Sequence, residues 1–205
     1  MDVGMNWIGF VVLAVIAAAL NAIVQKDVLD KMHSLEYLAL RSLFMLLLLI
    51  GTLPFISFRL PVYVYGLAVL AGVSTAFGTI KWGHAAKHQP MSSIQPLMNF
   101  YPLMVAFLAY MILGEAITSR QLMGMIVLLV GTYVLEVHTG EKDMLGPVKH
   151  LIQNPYQMTA VFSLVFFAFT ATTGRYVTSV GATALEFTAI SWATACTIIL
   201  VYHFM

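Results

Sequence analysis

Residues 62–86 have the sequence VYVYGLAVLAGVSTAFGTIKWGHAA, in which Lys81 is the only Lys, Arg, Asp or Glu. A helix that crosses a hydrocarbon core about 30 Å thick needs about 20 mostly apolar residues, because each residue adds about 1.5 Å. This stretch meets that length. Comparable apolar stretches occupy residues 7–24, 35–53, 91–113, 121–135, 157–174 and 183–204. We therefore predict an all-α integral membrane protein with about seven transmembrane helices.

The composition excludes a water-soluble globule. Hydrophobic residues make up 60% of the 205 residues, charged residues make up 9%, and the mean hydropathy is +0.90. Lipid must therefore be the solvent for most of the surface. A closed β-barrel would need an alternating apolar and polar pattern, which these stretches lack. The net charge of +1 and the absence of a basic stripe give no support for nucleic-acid binding.

Sequence motifs for covalent chemistry are missing. Cys196 is the only cysteine, which rules out an intrachain disulfide and a cysteine-rich metal site. The last apolar stretch has no lysine that could hold retinal, and the chain has neither a His-Glu-x-x-His motif nor a Thr-Val-Gly-Tyr-Gly filter. His84 and His88 have a spacing that could share a metal, but no Glu or Cys lies beside them. We expect no enzyme activity, no cofactor and no metal site.

A set of short motifs occurs in residues 82–135. Its members are Ala85-Ala86-Lys87-His88-Gln89-Pro90, Pro102-Leu103-Met104, Leu113-Gly114-Glu115, Gln121-Leu122-Met123-Gly124 and Gly131. In order and spacing the set resembles the first repeat of the EamA-like transporters in the drug/metabolite transporter superfamily. Upstream residues similar to the first and second helices of that family are Ala22, Lys26 and Arg41-Ser42-Leu43.

The resemblance implies ten helices in two five-helix repeats of opposite orientation. Residues 1–137 would then form the first repeat, residues 138–156 the inter-repeat linker, and residues 157–205 two helices of a second, inverted repeat. An offset of 149 residues aligns Val12 with Val161, Ala19 with Ala168, Ala22 with Ala171, Lys26 with Arg175, Val28 with Val177 and Ser42 with Ser191. On this interpretation the chain is truncated after the seventh helix, or a homo-oligomer or partner chain completes the second repeat.

The resemblance also implies a function, namely a membrane transporter that exports small polar or amphipathic metabolites by alternating access. The alternative is a non-transporting membrane subunit or scaffold that needs a partner chain. The expected location is an integral, multi-pass one, in the plasma membrane if the cell is prokaryotic. The resemblance places the N-terminus inside, whereas the distribution of Lys and Arg favours the opposite orientation.

Polar side chains inside the spans are costly in lipid and are therefore the candidates for a substrate cavity. Such side chains occur at helical spacing in three predicted helices: Asn21 and Gln25 in the first, Ser92, Gln95 and Asn99 in the fourth, where Pro102 continues the spacing, and Ser163, Thr170 and Thr173 in the sixth. The alternative is hydrogen bonding between helices, worth roughly 0.6 kcal/mol for each bond. We favour that alternative for the Ser and Thr residues, although Thr170 and Thr173 remain cavity candidates.

The fourth helix carries the clearest polar pattern. Its residues are spaced so as to predict one continuous face of an α-helix that ends at Pro102. Gln95 and Asn99 favour a cavity, because two carboxamides form a donor-and-acceptor surface that lipid would not tolerate. Pro102 is expected to free a backbone carbonyl as a further acceptor.

Lys81 completes the predicted substrate-binding set of Asn21, Gln25, Lys81, Gln95, Asn99, Thr170 and Thr173. Its ammonium could anchor an anionic group of the substrate, and the alternative is that its long stem snorkels to the interface. Lys87 is expected to be solvent-exposed and dispensable. Arg41 is expected to snorkel or to pair with Glu36 or Glu115.

Five residues of the family motifs are predicted to be structural: Pro102, Gly114, Glu115, Gly124 and Gly131. Gly124 and Gly131 are two helical turns apart and are expected to let a neighbouring backbone approach the fifth helix closely. Gly114 should permit the tight turn before that helix. Glu115 is expected to meet the positive N-terminal end of the same helix.

Overall fold

The computed structural model describes residues 6–56, 60–137 and 153–205. This part of the chain is helical and contains no strand. Its helices are α1 (Asn6–Lys31), α2 (Ser34–Ile50), α3 (Val62–His88), α4 (Met91–Leu113), α5 (Ser119–Val137), α6 (Pro155–Ser179) and α7 (Ala184–Phe204). Most of the predicted linker, residues 138–156, lies outside the described residues.

The lengths and compositions of these helices fit a membrane protein. Within the described residues, α1, α3, α4, α6 and α7 are long and apolar enough to cross a bilayer. The helix α2 has 17 residues, and the apolar part of α5 is also shorter than a full span. The predicted sixth span proves longer than its apolar core, because the helix continues to Ser179. The prediction of an all-α integral membrane protein is confirmed, with seven helices in the described residues.

Helices α2 and α7 begin with the same capping arrangement. In α2, the Glu36 carboxylate accepts a hydrogen bond from the His33 backbone N–H at 3.0 Å, and the His33 ring accepts one from Leu35 N–H. In α7, Glu186 accepts from the Thr183 N–H at 2.9 Å, and Thr183 Oγ1 accepts from the Glu186 N–H. Both pairs satisfy backbone donors that a helix start leaves without partners. The two helix hairpins α1–α2 and α6–α7 therefore join in the same way.

The centre of the bundle is α3, which packs most extensively against α6 and then against α7. Val64 and Val177 share a core cluster at one end of the α3–α6 pair, and Ala85 and Ala160 share one at the other end. The two helices are therefore antiparallel. In turn α7 packs along α2.

Hydroxyl groups bond α3 to α6 in the middle of the bundle. Thr170 Oγ1 lies 3.0 Å from Thr75 Oγ1 and donates to the Ala71 carbonyl at 3.1 Å. Ser74 Oγ donates to the Phe166 carbonyl at 3.0 Å. Short polar side chains commonly join membrane helices in this way, since lipid offers them no other partners.

Close approach between helices depends on glycines of α3. A Cβ built on Gly72 would lie 2.5 Å from the Ser191 carbonyl oxygen, and one built on Gly78 would lie 2.8 Å from the Phe167 ring. The predicted role of Gly124 and Gly131 is wrong for the described residues, because a Cβ at either position would meet nothing within 4 Å. The spacing of glycines in the sequence identified a glycine face on α5, but the helix whose glycines permit close packing is α3.

The peripheral helix α1 is tied to α3 by two reciprocal lysine caps. Lys26 Nζ donates to the Ala86 and Lys87 carbonyls at 3.2 and 3.3 Å, while Lys87 Nζ donates to the Leu29 and Met32 carbonyls at 3.2 and 2.6 Å. Each ammonium thus satisfies carbonyls at the negative C-terminal end of the other helix. The expectation that Lys87 is solvent-exposed is wrong, because the residue is half-buried and bonded to α1.

The two lysine caps also show how α1, α3 and α6 are oriented relative to one another. The C-terminal ends of α1 and α3 meet, so these helices run parallel, whereas α3 and α6 are antiparallel. The helix α6 therefore runs opposite to α1. This is the relation that an inverted second repeat requires.

The helix α4 changes its winding along its length. It is α-helical over Met91–Ile94, 3₁₀ over Gln95–Phe100, α-helical over Tyr101–Leu108 and π-helical over Ala109–Leu113. Pro96 and Pro102 lack an N–H, so the bonds to residues four positions earlier cannot form. The predicted continuous polar face is therefore wrong. The Met98 carbonyl that Pro102 would free accepts a bond from the Tyr101 N–H instead.

Arg41 also has an unexpected neighbour. Its guanidinium carbon lies 5.9 Å from the centre of the Trp192 ring, which joins α2 to α7 by a cation–π contact. The predicted pairing with Glu36 or Glu115 is wrong, since Glu36 caps α2 and Glu115 bonds to Arg175. An aromatic ring provides a partner for a cation that lipid would otherwise leave unpaired.

Candidate functional site

Gln25 has an unusual environment on α1. The residue is 6% exposed, and its side-chain Nε2 is buried without a hydrogen-bond partner among the described residues. An unsatisfied buried donor costs about 1–3 kcal/mol. Its neighbours in sequence, Lys26 and Leu29, contact the C-terminal end of α3. The amide therefore lies at the α1–α3 junction, near one end of the bundle.

Lys81 lies on a row of α3 residues that follows one helical face. This Lys81 row consists of Phe77, Lys81, His84 and His88. Phe77 stacks on Phe166 of α6 with ring centres 6.0 Å apart. Lys81 is half-buried and forms no hydrogen bond or ion pair within the described part of the chain. Its ammonium is thus available in the groove where α3 runs beside α6.

The two histidines of the row lie against each other with tilted rings and against Tyr156 of α6. Their rings lie 4.6 Å apart, and the His88 ring is stacked on Tyr156 at 4.5 Å with planes only 6° apart. His88 Nδ1 is also 2.9 Å from the His84 carbonyl oxygen. No group of three or more His, Cys, Asp or Glu residues that could hold a metal occurs in residues 6–56, 60–137 and 153–205. The cluster packs the end of α3 against the start of α6.

The two amides of α4 have different surroundings. Asn99 is half-buried, and its Nδ2 donates to Thr132 Oγ1 of α5 at 2.9 Å. Thr132 Oγ1 in turn donates to the Leu128 carbonyl. Gln95 is exposed. In this structure Asn99 joins two helices, while Gln95 faces out of the described bundle.

The remaining predicted site residues are spread along the bundle. Asn21 is exposed on α1, and Thr170 forms the α3–α6 hydrogen bonds. Thr173 is buried and lines a cavity of about 360 Å³ between α3, α4 and α6. That cavity reaches Leu113 at the end of α4, away from Gln25 and Lys81. The structure therefore does not bring all seven candidates to one place.

An ion pair that was not predicted from the sequence lies at the C-terminal ends of α4 and α6. Glu115 Oε2 is 2.7 Å from Arg175 Nη2, with the two side chains 42% and 51% exposed. Gly114 adopts φ 67° between α4 and α5, a left-handed conformation that favours glycine. Glu115 bonds to Arg175 rather than to the start of α5, which corrects its predicted partner. Because successive helices alternate in direction, the C-terminal ends of α4 and α6 lie on the same side of the bundle. This alternation could have indicated that Glu115 and Arg175 form a pair.

Known proteins were compared with the chain. The model of the EamA-like transporter family matches residues 5–137, nearly two thirds of the chain. Searches of curated proteins and of solved structures found no significant match. The matched region covers the first five helices and includes Lys81, Gly114 and Glu115. The chain therefore belongs to the EamA-like transporter family, a family of multi-pass membrane transporters of the drug/metabolite type rather than of enzymes.

Proposed function

We propose that the chain transports small polar or amphipathic metabolites by alternating access and exports them across the membrane in which it lies, which is the plasma membrane if the cell is prokaryotic. The observation that carries the proposal is the buried Nε2 of Gln25, which has no hydrogen-bond partner in the part of the chain that the structure describes. A neutral apolar side chain would fill this position without the cost of an unsatisfied donor. A polar solute that accepts a hydrogen bond would satisfy that donor only while it is bound.

Lys81 supports a preference for solutes with a carboxylate or phosphate. Its ammonium is half-buried and has no hydrogen bond or ion pair within the described residues. Three other cations of the spans have partners: Lys26 and Lys87 cap helices, and Arg41 lies over Trp192. An anionic group is the partner that an ammonium in a partly dehydrated groove attracts.

Alternating access needs two halves that can move against each other. The α6–α7 hairpin repeats the α1–α2 hairpin in the length of its first helix, 25 against 26 residues, and in the Glu-containing cap of its second helix. It runs in the opposite direction. Helices of one repeat then pack on helices of the other, as α3 does on α6. These relations support residues 1–137 and 157–205 as parts of two inverted repeats.

The same symmetry supports association with a partner chain or a second copy. The 149-residue offset places Asn21 of α1 at the position of Thr170 in α6. Thr170 bonds α6 to α3, whereas Asn21 is exposed on a helix that packs little within the described bundle. We propose that Asn21 bonds a further helix packed on α1. A subunit that depends on such a partner and transports nothing alone is the alternative function.

The test of the proposal is the variant Gln25→Leu. Removing a buried amide that has no partner should leave the thermal stability unchanged or raise it, because no native hydrogen bond is lost. Solute flux in proteoliposomes, measured with a panel of labelled carboxylates and phosphate esters, should fall. Unchanged flux would exclude Gln25 from the pathway. A fall in stability together with flux would instead assign it a structural role.

A further inference from the structure

A wedge-shaped cavity of about 500 Å³ separates α4 from α5. At one end of the cavity the Asn99–Thr132 hydrogen bond joins the two helices. There α5 packs against the 3₁₀ segment of α4. From Leu128 to Gln121 the helices diverge, a distance of about 10 Å along α5. The Glu115–Arg175 ion pair, next to the turn at Gly114, lies at the other end of the cavity.

The walls of this α4–α5 wedge are mostly aliphatic. Pro102, Val105 and Ala109 line it from α4, and Met125 and Leu128 line it from α5. Gly124 also lines the wedge, and a Cβ there would meet nothing within 4 Å. An apolar gap of this kind loses dispersion contacts unless something fills it. In a bilayer an acyl chain has the chemistry that matches such a gap.

The mouth of the wedge differs from its walls. Glu115 and Arg175 both line the cavity, and both remain about half exposed at the end of the α4 span. Only Nη2 of Arg175 and Oε2 of Glu115 are used in their ion pair. An arginine has five N–H donors in total, and a carboxylate has a second oxygen. Among the described residues, the other donors of Arg175 and the second oxygen of Glu115 have no partner, and they lie side by side at the end of the α4 span.

From this arrangement we propose that the α4–α5 wedge binds a membrane phospholipid whose headgroup carries a phosphate and a primary ammonium. One acyl chain fills the wedge, the phosphate accepts hydrogen bonds from Arg175, and the ammonium donates to Glu115. Arginine matches phosphate geometry well. A trimethylated ammonium cannot donate a hydrogen bond, and the hydroxyl groups of an anionic glycerol headgroup can donate to Glu115 but carry no charge to offset the carboxylate.

The experiment compares three phospholipids with identical acyl chains on the delipidated, detergent-solubilised chain. The probes are phosphatidylethanolamine, phosphatidylcholine and phosphatidylglycerol, and the readouts are the shift in melting temperature and the lipid retained in native mass spectrometry. Phosphatidylethanolamine should give the largest shift and the most retained lipid. An equal or larger effect of either other lipid would overturn the proposed headgroup.

Two glycines of α5 provide a matched pair of variants. Gly124→Leu places a side chain in the wedge, whereas Gly131→Leu adds the same side chain two turns along, outside the wedge and also in open space. Both variants should fold, but only Gly124→Leu should lose the lipid-induced shift. Glu115→Gln should abolish the preference for phosphatidylethanolamine over phosphatidylglycerol. Retention of the full shift in Gly124→Leu would overturn the site.

Discussion

Replacing Gly72 with alanine is expected to destabilise the bundle by about 1–3 kcal/mol, the usual cost of overpacking a core. The added Cβ would lie 2.5 Å from the Ser191 carbonyl oxygen and 2.6 Å from Thr194 Cβ, both on α7. Backbone cannot rotate away as a side-chain tip can, so α3 and α7 must separate. A lower melting temperature in detergent and early loss of the monodisperse peak on size exclusion would be the measured results.

Gly66 is the control for this effect in the same helix. A Cβ at Gly66 meets nothing within 4 Å, so Gly66→Ala should be neutral or stabilising by up to about 1 kcal/mol from helix propensity. Equal melting temperatures for Gly66→Ala and Gly72→Ala would contradict the α3–α7 contact. The comparison therefore tests the central packing of the fold apart from any function.

Replacing Lys81 with methionine is expected to lower the affinity for carboxylate- or phosphate-bearing solutes about tenfold or more. The reason is the loss of a charge-assisted hydrogen bond, worth about 1.5–3 kcal/mol. Methionine keeps much of the apolar length, so stability should change little. Lys81→Arg keeps the charge and should retain part of the binding. Half-saturation constants for flux in proteoliposomes would measure both variants.

The comparison lysine is Lys31, whose side chain is 71% exposed and pairs with Asp27 at 2.7 Å. Lys31→Met should leave flux unchanged, because exposed ion pairs contribute little. Lys87 would be unsuitable for this purpose, since it caps α1. Normal flux of anionic solutes by Lys81→Met would show that Lys81 only snorkels, and the anchor role would then be rejected.

The helices could be predicted from the sequence because lipid imposes a simple requirement. Every backbone group must be satisfied within its own helix, so a span appears as a long apolar stretch. Where the structure extends a helix beyond that stretch, polar side chains at its end satisfy the last carbonyls. Lys26 and Lys87 do this for α3 and α1. Hydropathy shows where a span lies in the sequence. It does not show the residue at which a side-chain cap ends the helix.

Contacts between helices could not be predicted in the same way. Gly124 and Gly131 have the spacing of a packing face, yet the close approach occurs at Gly72. The identity of the neighbouring helix decides which glycine matters, and a single sequence does not contain it. Arg41 and Glu115 were assigned the wrong partners for this reason.

The candidate site shows a third limit, which is local winding. The polar residues of α4 fit an α-helical face, but Pro96 and Pro102 impose a 3₁₀ segment between them. Gln95 is consequently exposed, while Asn99 bonds to Thr132. The proposed roles of these two amides in substrate binding stay predictions. The roles of Gln25 and Lys81 are predictions too, motivated by the absence of a hydrogen-bond partner for Gln25 Nε2 and for Lys81 among the described residues.

Solute flux by the purified chain alone tests the transporter account most directly. The chain is reconstituted in liposomes, and uptake of labelled carboxylates and phosphate esters is compared with protein-free vesicles and with the Lys81→Met variant. We expect saturable flux of at least one anionic solute, reduced by that substitution. Flux no greater than in protein-free vesicles, from a chain that still shows a cooperative thermal transition, would contradict transport by this chain and favour a membrane subunit that needs a partner.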